Sequence, residues 1–190
     1  MIETERLLLR LPEPPDAPAI LRQLEDPEVM RFIGYGETGT LADAVEQVEK
    51  ILRGWRDDGF GRFVIVRRAD DRLIGRVGLL AWDPLTWRNG TRREFGEHAE
   101  IELGWTLERA AWGHGYATEA AAAARDWAVR EVRPSSLISL IAADNVRSTH
   151  VAERLGAQPE REVVVGRGVA VQLWRYVFDP PTREGCAQPR

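Results

Sequence analysis

Apolar residues recur along the chain at two spacings, and the alternation of those spacings divides it into strands and helices. Residues 6–10 are Leu-rich, stop before Pro12 and predict a first strand. Asp16 stands where a helix N-cap would, and Ala17, Ile20, Leu21 and Leu24 share one helical face behind it. Asp26-Pro27 opens a further helical turn that the glycines at 34, 36 and 39 break. Thr40 caps the next helix, in which Leu41, Val45, Val48, Ile51, Leu52 and Trp55 sit three and four apart and are expected to be buried; Gly59 ends it. Residues 60–67 and 73–80 predict a hairpin about the turn Ala69-Asp70-Asp71. Residues 83–97 form a long polar loop carrying Trp87, Arg88, Arg92 and Arg93.

The next strand, 98–107, alternates cleanly: Ala99, Ile101 and Leu103 point one way, Glu100 and Glu102 the other. A helix over about 116–130 follows, then a strand at 136–142, then a helix beginning near Asp144-Asn145 and ending at Gly156. A final hairpin, 161–165 and 169–178, turns at Gly166–Gly168 and stops at Pro180-Pro181. The order β-α-α-β-β-β-α-β-α-β-β predicts one α+β domain over 1–179 with a tail at 180–190, and no internal repeat or linker interrupts it.

Composition narrows the chemistry. With 190 residues, 44% hydrophobic and 29% charged, the chain is an ordinary globular domain. A net charge of −4 gives no electrostatic footprint for nucleic acid or an anionic membrane. No apolar run approaches the roughly 20 residues needed to span a bilayer, and the charged start Glu3-Thr4-Glu5-Arg6 lacks a secretory h-region. These features predict a soluble, cytoplasmic protein. Cys186 is the single cysteine, which excludes an internal disulfide, and His98, His114 and His150 show no metal-ligand spacing, so no metal is expected. Lys50 is the one lysine, and no P-loop occurs.

The stretch from Glu102 to Arg130 carries the most chemistry. A strand ends, Gly113 and Gly115 permit tight curvature, and a helix begins at once. Unpaired N–H groups and the helix dipole there make an anion site, for which a diphosphate is a natural ligand. Ala117, Ala120, Ala121 and Ala124 leave the helix room to lie close to a sheet, while Glu119 in its first turn reads as structural. A dinucleotide fingerprint would need glycine where Thr118 stands; Asp144, after the next strand, keeps a Rossmann-type nucleotide-binding enzyme open as an alternative.

The run Trp112-Gly113-His114-Gly115-Tyr116-Ala117-Thr118-Glu119-Ala120 resembles motif A of the Gcn5-related N-acetyltransferases (GNAT), Q/R-x-x-G-x-G/A, with Trp112 in place of Gln or Arg. Asn145-Val146-Arg147-Ser148 and Glu153-Arg154-Leu155-Gly156 are similar to elements of the RimJ/RimL ribosomal-protein N-terminal acetyltransferase branch, as is the opening segment 3–10. Ala157 replaces that branch's usual aromatic. The resemblance spans about residues 3–178.

It implies a GNAT-like fold: a mostly antiparallel twisted sheet of about seven strands, splayed in the middle, with helices on both faces. It implies acetyl-CoA as cosubstrate, with backbone groups of Trp105, Thr106 and Leu107 along the pantetheine. Residues Trp112, Gly113, His114, Gly115, Tyr116 and Ala117 would lie around the pyrophosphate, and Asn145 on the pantetheine arm. Ser148 would lie near the sulfur and protonate the leaving thiolate. Glu102, with Glu100 second, would be the general base for a primary amine; a plain solvent-facing role for both carboxylates is the competing reading. A backbone N–H near Thr106 would polarise the thioester. His114 either touches phosphate or is exposed filler, and Trp82, Trp87 and Trp105 either line an acceptor pocket or belong to the core. The acceptor would be a small molecule or a protein N-terminus, and relatives of the branch suggest a homodimer. A non-catalytic CoA-binding module is the other alternative.

Overall fold

The computed structural model describes residues 1–178; Cys186, the proline stop and the 180–190 tail lie outside them. The strands are β1 (Ile2–Glu3), β2 (Leu7–Arg10), β3 (Arg62–Arg67), β4 (Arg72–Trp82), β5 (Asn89–Gly90), β6 (Glu100–Leu107), β7 (Ser136–Ile141), β8 (Gln158–Val165) and β9 (Val169–Val177). The helices are α1 (Ala17–Leu24), α2 (Pro27–Met30), α3 (Leu41–Asp58), α4 (Arg92–Phe95), α5 (Tyr116–Glu131) and α6 (Val146–Arg154). The sheet order is β1-β2-β3-β4-β6-β7-β9-β8, with β5 paired to β4. The seven longer strands are those the alternation predicts, and β1 and β5 add two residues each.

Every strand pair is antiparallel except β6–β7, which meets in parallel at the single register pair Glu102↔Ile138. Just beyond that point Ser139 Oγ donates to the Leu103 carbonyl (2.6 Å) and lies 3.0 Å from the Tyr176 hydroxyl. From there β6 continues to Leu107 paired only with β4. The sheet is therefore splayed in its middle. Antiparallel strands ahead of the glycine turn also remove the Rossmann-type alternative, which needs consecutive parallel strands.

Alternation assigns the two faces. Leu7, Leu9, Phe63, Ile65, Val77, Leu79, Ile101 and Leu103 pack under α5 and α6, where Ala120, Ala121, Ala124 and Ala128 are fully covered. Small side chains let α5 sit close to the sheet, and a bulkier residue there would cost roughly 1–3 kcal/mol in overpacking. On the other face Val64, Val66 and Leu73 meet Ala17, Ile20, Leu24, Ala44 and Val48 of α1 and α3.

Caps explain the helix starts. Thr40 and Asp43 form a reciprocal capping box for α3, and Asp26 accepts from the Glu28 N–H at α2. Asp16 makes no cap bond to α1. It pairs with Arg10 instead (2.7 and 2.8 Å); partial burial pushes its carboxyl up, but that guanidinium and the Glu13 N–H together hold it below the usual range. Two expected core residues are exposed: Leu41 at 51% and Val45 at 44%. The buried stripe of α3 runs instead through Ala44, Val48 and Ile51.

Candidate active site

The gap between β6 and β7 opens toward both faces of the sheet, and each face supplies different groups. On the α5 side a helix begins directly after a glycine turn. Gly113 and Gly115 hold φ of +78° and +77°, a region that a side chain disfavours, and Gly115 is the N-cap of α5 without any side-chain cap bond. The N–H groups of Tyr116, Ala117 and Thr118 start the helix and have no carbonyl one turn earlier to meet.

Side chains brace this turn from outside. Arg6 Nη1 donates to the His114 carbonyl (2.9 Å) and Arg6 Nε to Glu119 (2.7 Å). Thr4 Oγ1 and the Arg6 N–H also donate to Glu119. Glu119 is thus the structural clamp between the N-terminal strands and α5, and those donors hold its carboxyl low against the opposing effect of partial burial. Trp112 Nε1 donates to the Leu107 carbonyl (2.9 Å), and the Arg147 guanidinium lies 4.4 Å from the centre of its ring. Arg6 and Arg147 therefore flank the turn from two elements, although neither stood out in the sequence. The signal for Arg147 was its place two residues after Asn145.

The three expected backbone partners on β6 divide. Glu108 N–H donates to the Ile74 carbonyl, and hydrogen bonds alternate along an antiparallel pair. Thr106 is thereby turned toward β4; its carbonyl would stand 2.5 Å from a Cβ on Gly75. Thr106 is thus corrected as a backbone partner. Trp105 and Leu107 face the gap, and the Leu107 carbonyl is already taken by Trp112.

Across the gap Asn145 caps α6, its Oδ1 accepting from the Ser148 N–H (3.3 Å). Ser148 Oγ makes no hydrogen bond among the described residues. His114 is exposed, its ring 5.7 Å from that of Tyr116.

On the α1/α3 side lie side chains. Glu102 is only 8% exposed, so the solvent-facing expectation fails. Its Oε2 accepts from Trp82 Nε1 at 2.7 Å. Burial raises its pKa, opposed by the charge of Arg62, the Trp82 bond and the Leu140 N–H. A carboxylate in this state holds a proton to higher pH than usual, as a general base working near neutrality does.

Glu100 has a different fate. Arg175 grips it with two bonds of 2.8 and 3.0 Å while also binding Glu160 and Ser136. That fork ties β6 to β9, so Glu100 is withdrawn as a candidate base. Trp87, at φ +50°, is buried against Ile138, Val163, Val171 and Leu173, which anchors the 83–97 loop and its short β5 and α4. Trp105 packs on the α5 face. Of the three tryptophans only Trp82 stands at the carboxylate.

Two arginines share this side. Arg76 is 2% exposed and donates to Gln23 Oε1 and Gln47 Oε1, both at 3.1 Å. Burial and the neighbouring Arg62 pull its pKa down to about 9. Arg62 has a buried Nε without a partner, and neither guanidinium forms an ion pair among the described residues. No group of three metal-ligating side chains occurs among those residues either.

Known proteins with this arrangement say which family it is. The sequence profile of the acetyltransferase (GNAT) domain matches residues 6–158. The uncharacterized N-acetyltransferase YnaD of Bacillus subtilis is 30% identical over 159 residues, 84% of this chain and 83% of its own. An acetyltransferase from Agrobacterium tumefaciens superposes with a TM-score of 0.73 at 29% identity, covering 93% of this chain and 94% of that one. The fold is shared too with RimL, the ribosomal L7/L12 α-N-protein acetyltransferase solved with coenzyme A (TM-score 0.74, 14% identity, 93% and 96% covered). A glycine-turned helix start beside a splayed β6–β7 gap, with a matching profile over most of the length, means that the chain belongs to the GNAT acetyltransferase family and is an N-acetyltransferase.

Proposed function

We propose that this protein transfers an acetyl group from acetyl-CoA directly to a primary amine within a ternary complex. The observation that carries the reading is the pairing of a backbone anion cradle at 113–117 with a buried carboxylate, Glu102, across one gap. The free N–H groups of Tyr116 and Ala117 fit a pyrophosphate, and the positive φ at Gly113 and Gly115 keeps side chains out of its way. The Trp105 C=O, the Leu107 N–H and the Asn145 amide fit the amides of a pantetheine arm running along β6 like an added strand. Trp112 serves as a strut beneath the cradle, and His114 remains at its rim.

The cosubstrate supplies an activated acetyl group: the amine nitrogen forms a bond to the thioester carbon as the carbon–sulfur bond breaks. Glu102 takes the proton that the ammonium must lose before attack, through a water molecule. Trp105 N–H polarises the carbonyl oxygen, in place of the expected group at Thr106. Ser148 Oγ gives a proton to the departing thiolate and recovers one from the acylated nitrogen through solvent. Overall, ammonium and thioester become amide, thiol and one released proton. An acceptor α-amino group, with a pKa near 7.7–8.0, needs less help than a lysine near 10.4.

The acceptor is a primary amine, on a small molecule or at a protein N-terminus, and the RimJ/RimL likeness favours neither by geometry. In this reading the protein works in the cytoplasm as a homodimer, without a metal, nucleic acid or membrane. A thiol-release assay with acetyl-CoA over a panel of amines tests the reading. Release that depends on the amine supports it. Cofactor binding without release from any amine would leave only the CoA-binding module.

A further inference from the structure

The acceptor side of the gap holds more positive charge than it needs for its own stability. Arg62 and Arg76 stand on adjacent strands, β3 and β4, facing α1 and α3. A buried guanidinium without a carboxylate partner is costly, and proteins usually pair or expose such groups. Arg76 has only the neutral amides of Gln23 and Gln47. The partly buried Arg62 side chain has neither hydrogen bond nor ion pair among the described residues, and the Gln23 amide nitrogen is also buried without a partner among them. The nearest carboxylate in charge terms, Glu102, is held by Trp82.

Gly104 shows where a ligand would complete this arrangement. It lies on β6 between Glu102 and Thr106, and is half-buried because the sheet has opened beside it. A methyl group placed on it would stand 3.5 Å from Glu102 Oε1 and 3.6 Å from Arg62 Nη2, with nothing nearer. The missing side chain thus leaves a space whose two walls are a carboxylate and a guanidinium. A molecule with an amine at one end and an anion a few ångströms away matches both walls at once.

We propose that the acceptor is a small amine carrying a carboxylate close to its amino group, of the α-amino-acid type, with Arg62 holding the carboxylate while Glu102 receives the amine. Arg76 acts behind it as a positioning charge, tied to α1 and α3 through Gln23 and Gln47. This deepens the proposed acetyl transfer and rests on it for the role of Glu102. It does not rest on it for the anion site. Arg62 binds through charge-assisted hydrogen bonds, for which its geometry suits a planar carboxylate.

The experiment uses the full chain saturated with coenzyme A or acetyl-CoA and a panel of α-amino acids, each beside its carboxamide, with Ser- and Ala-initiated peptide amides as the macromolecular control. Binding is read by calorimetry with coenzyme A, and turnover by thiol release with acetyl-CoA. At least one amino acid should bind tighter than its carboxamide, by on the order of tenfold to a hundredfold, the size of a hydrogen bond to a charged group. In Arg62→Gln that preference should collapse while the carboxamide binds as before. Gly104→Ala, which requires no backbone strain, should weaken the same amino acid and leave acetyl-CoA affinity intact.

Equal affinity for acids and carboxamides, no binding by any acid, peptide amides as the better acceptors, or an acid preference that survives Arg62→Gln would each overturn the proposal. Acid-selective binding without thiol release would instead sink acetyl transfer and leave the anion site standing.

Discussion

In the proposed reaction, the two sides of the β6–β7 gap would recognise their ligands by unlike means. The cradle side would use main-chain N–H groups at a helix start behind two left-handed glycines, so its chemistry would depend on backbone shape and tolerate a varied set of side chains around it. The proposed acceptor side would use Glu102, Trp82, Arg62 and Arg76, drawn from three strands and held by contacts far apart in sequence. A shared cosubstrate would then be met by the part of the molecule that is hardest to alter by substitution. The acceptor would be met by the part that single substitutions can rewrite, in keeping with a family that is evident and a substrate that is not.

That division is open to direct attack. The largest effect is expected from Glu102→Gln, which should lower kcat by about 10²-fold, the lower range for loss of a general base, with acetyl-CoA affinity unchanged by calorimetry. Its pH profile should sharpen the point. A base must be ionised to accept a proton, and burial makes Glu102 keep its own proton to higher pH. Activity of the unaltered protein should therefore fall on an acidic limb above the usual carboxylate range, and Glu102→Gln should lose that limb. Arg62→Gln, by removing the opposing charge, should move the limb further up.

On the cradle side Gly115→Val forces a branched residue to φ +77° at a cost of roughly 1–2 kcal/mol. The dissociation constant of acetyl-CoA should rise about tenfold, with the acidic limb unmoved for the protein at saturating cofactor. If either variant damaged both ligands equally, the two sides would not be independent.

Ser148→Ala should reduce kcat by less than about tenfold, since a thiolate leaves without much help. Unaltered turnover would remove Ser148 as the acid.

The smallest catalytic effect belongs to Glu100→Gln. It breaks the Arg175 fork, in which both side chains are about one-fifth exposed, and should cost about 1–2 kcal/mol, between a surface and a buried pair. In a protein of this size that is a Tm lower by about 2–8 °C. Turnover at 25 °C should be unchanged, whereas a loss of kcat like that of Glu102→Gln would restore Glu100 as a base.

What the sequence disclosed follows the same line. The strand order, the capping box at Thr40, the C′ glycine at Gly156 and the cradle are all local, each readable within a few residues. The alternation in β6 correctly put Glu100 and Glu102 on one face, yet it could not say that Trp82 and Arg175, twenty and seventy-five positions away, would cover that face. The apolar count of α3 favoured Leu41 and Val45, because Ala44 is too small to register as core; yet Ala44 is the residue that packs on α1. Trp87 inside a polar loop was a sign that the segment folds back. Arg76, set among Leu73, Ile74, Val77 and Leu79, was the one clear sign of charge within a strand covered on both sides, and its meaning appears only once Gln23, Gln47 and Arg62 are in place.

The Ser139 hydroxyl, bridging the Leu103 carbonyl and Tyr176, has an effect on handling the protein in the laboratory. It stops the opening from unzipping further, yet beyond it the flank of β6 offers bare amide groups in the heart of the sheet, a surface to which a stray extended peptide could anneal. Preparations kept with coenzyme A should consequently resist clumping and proteolytic nicking better than stripped ones, and crystals should come more readily from the loaded form.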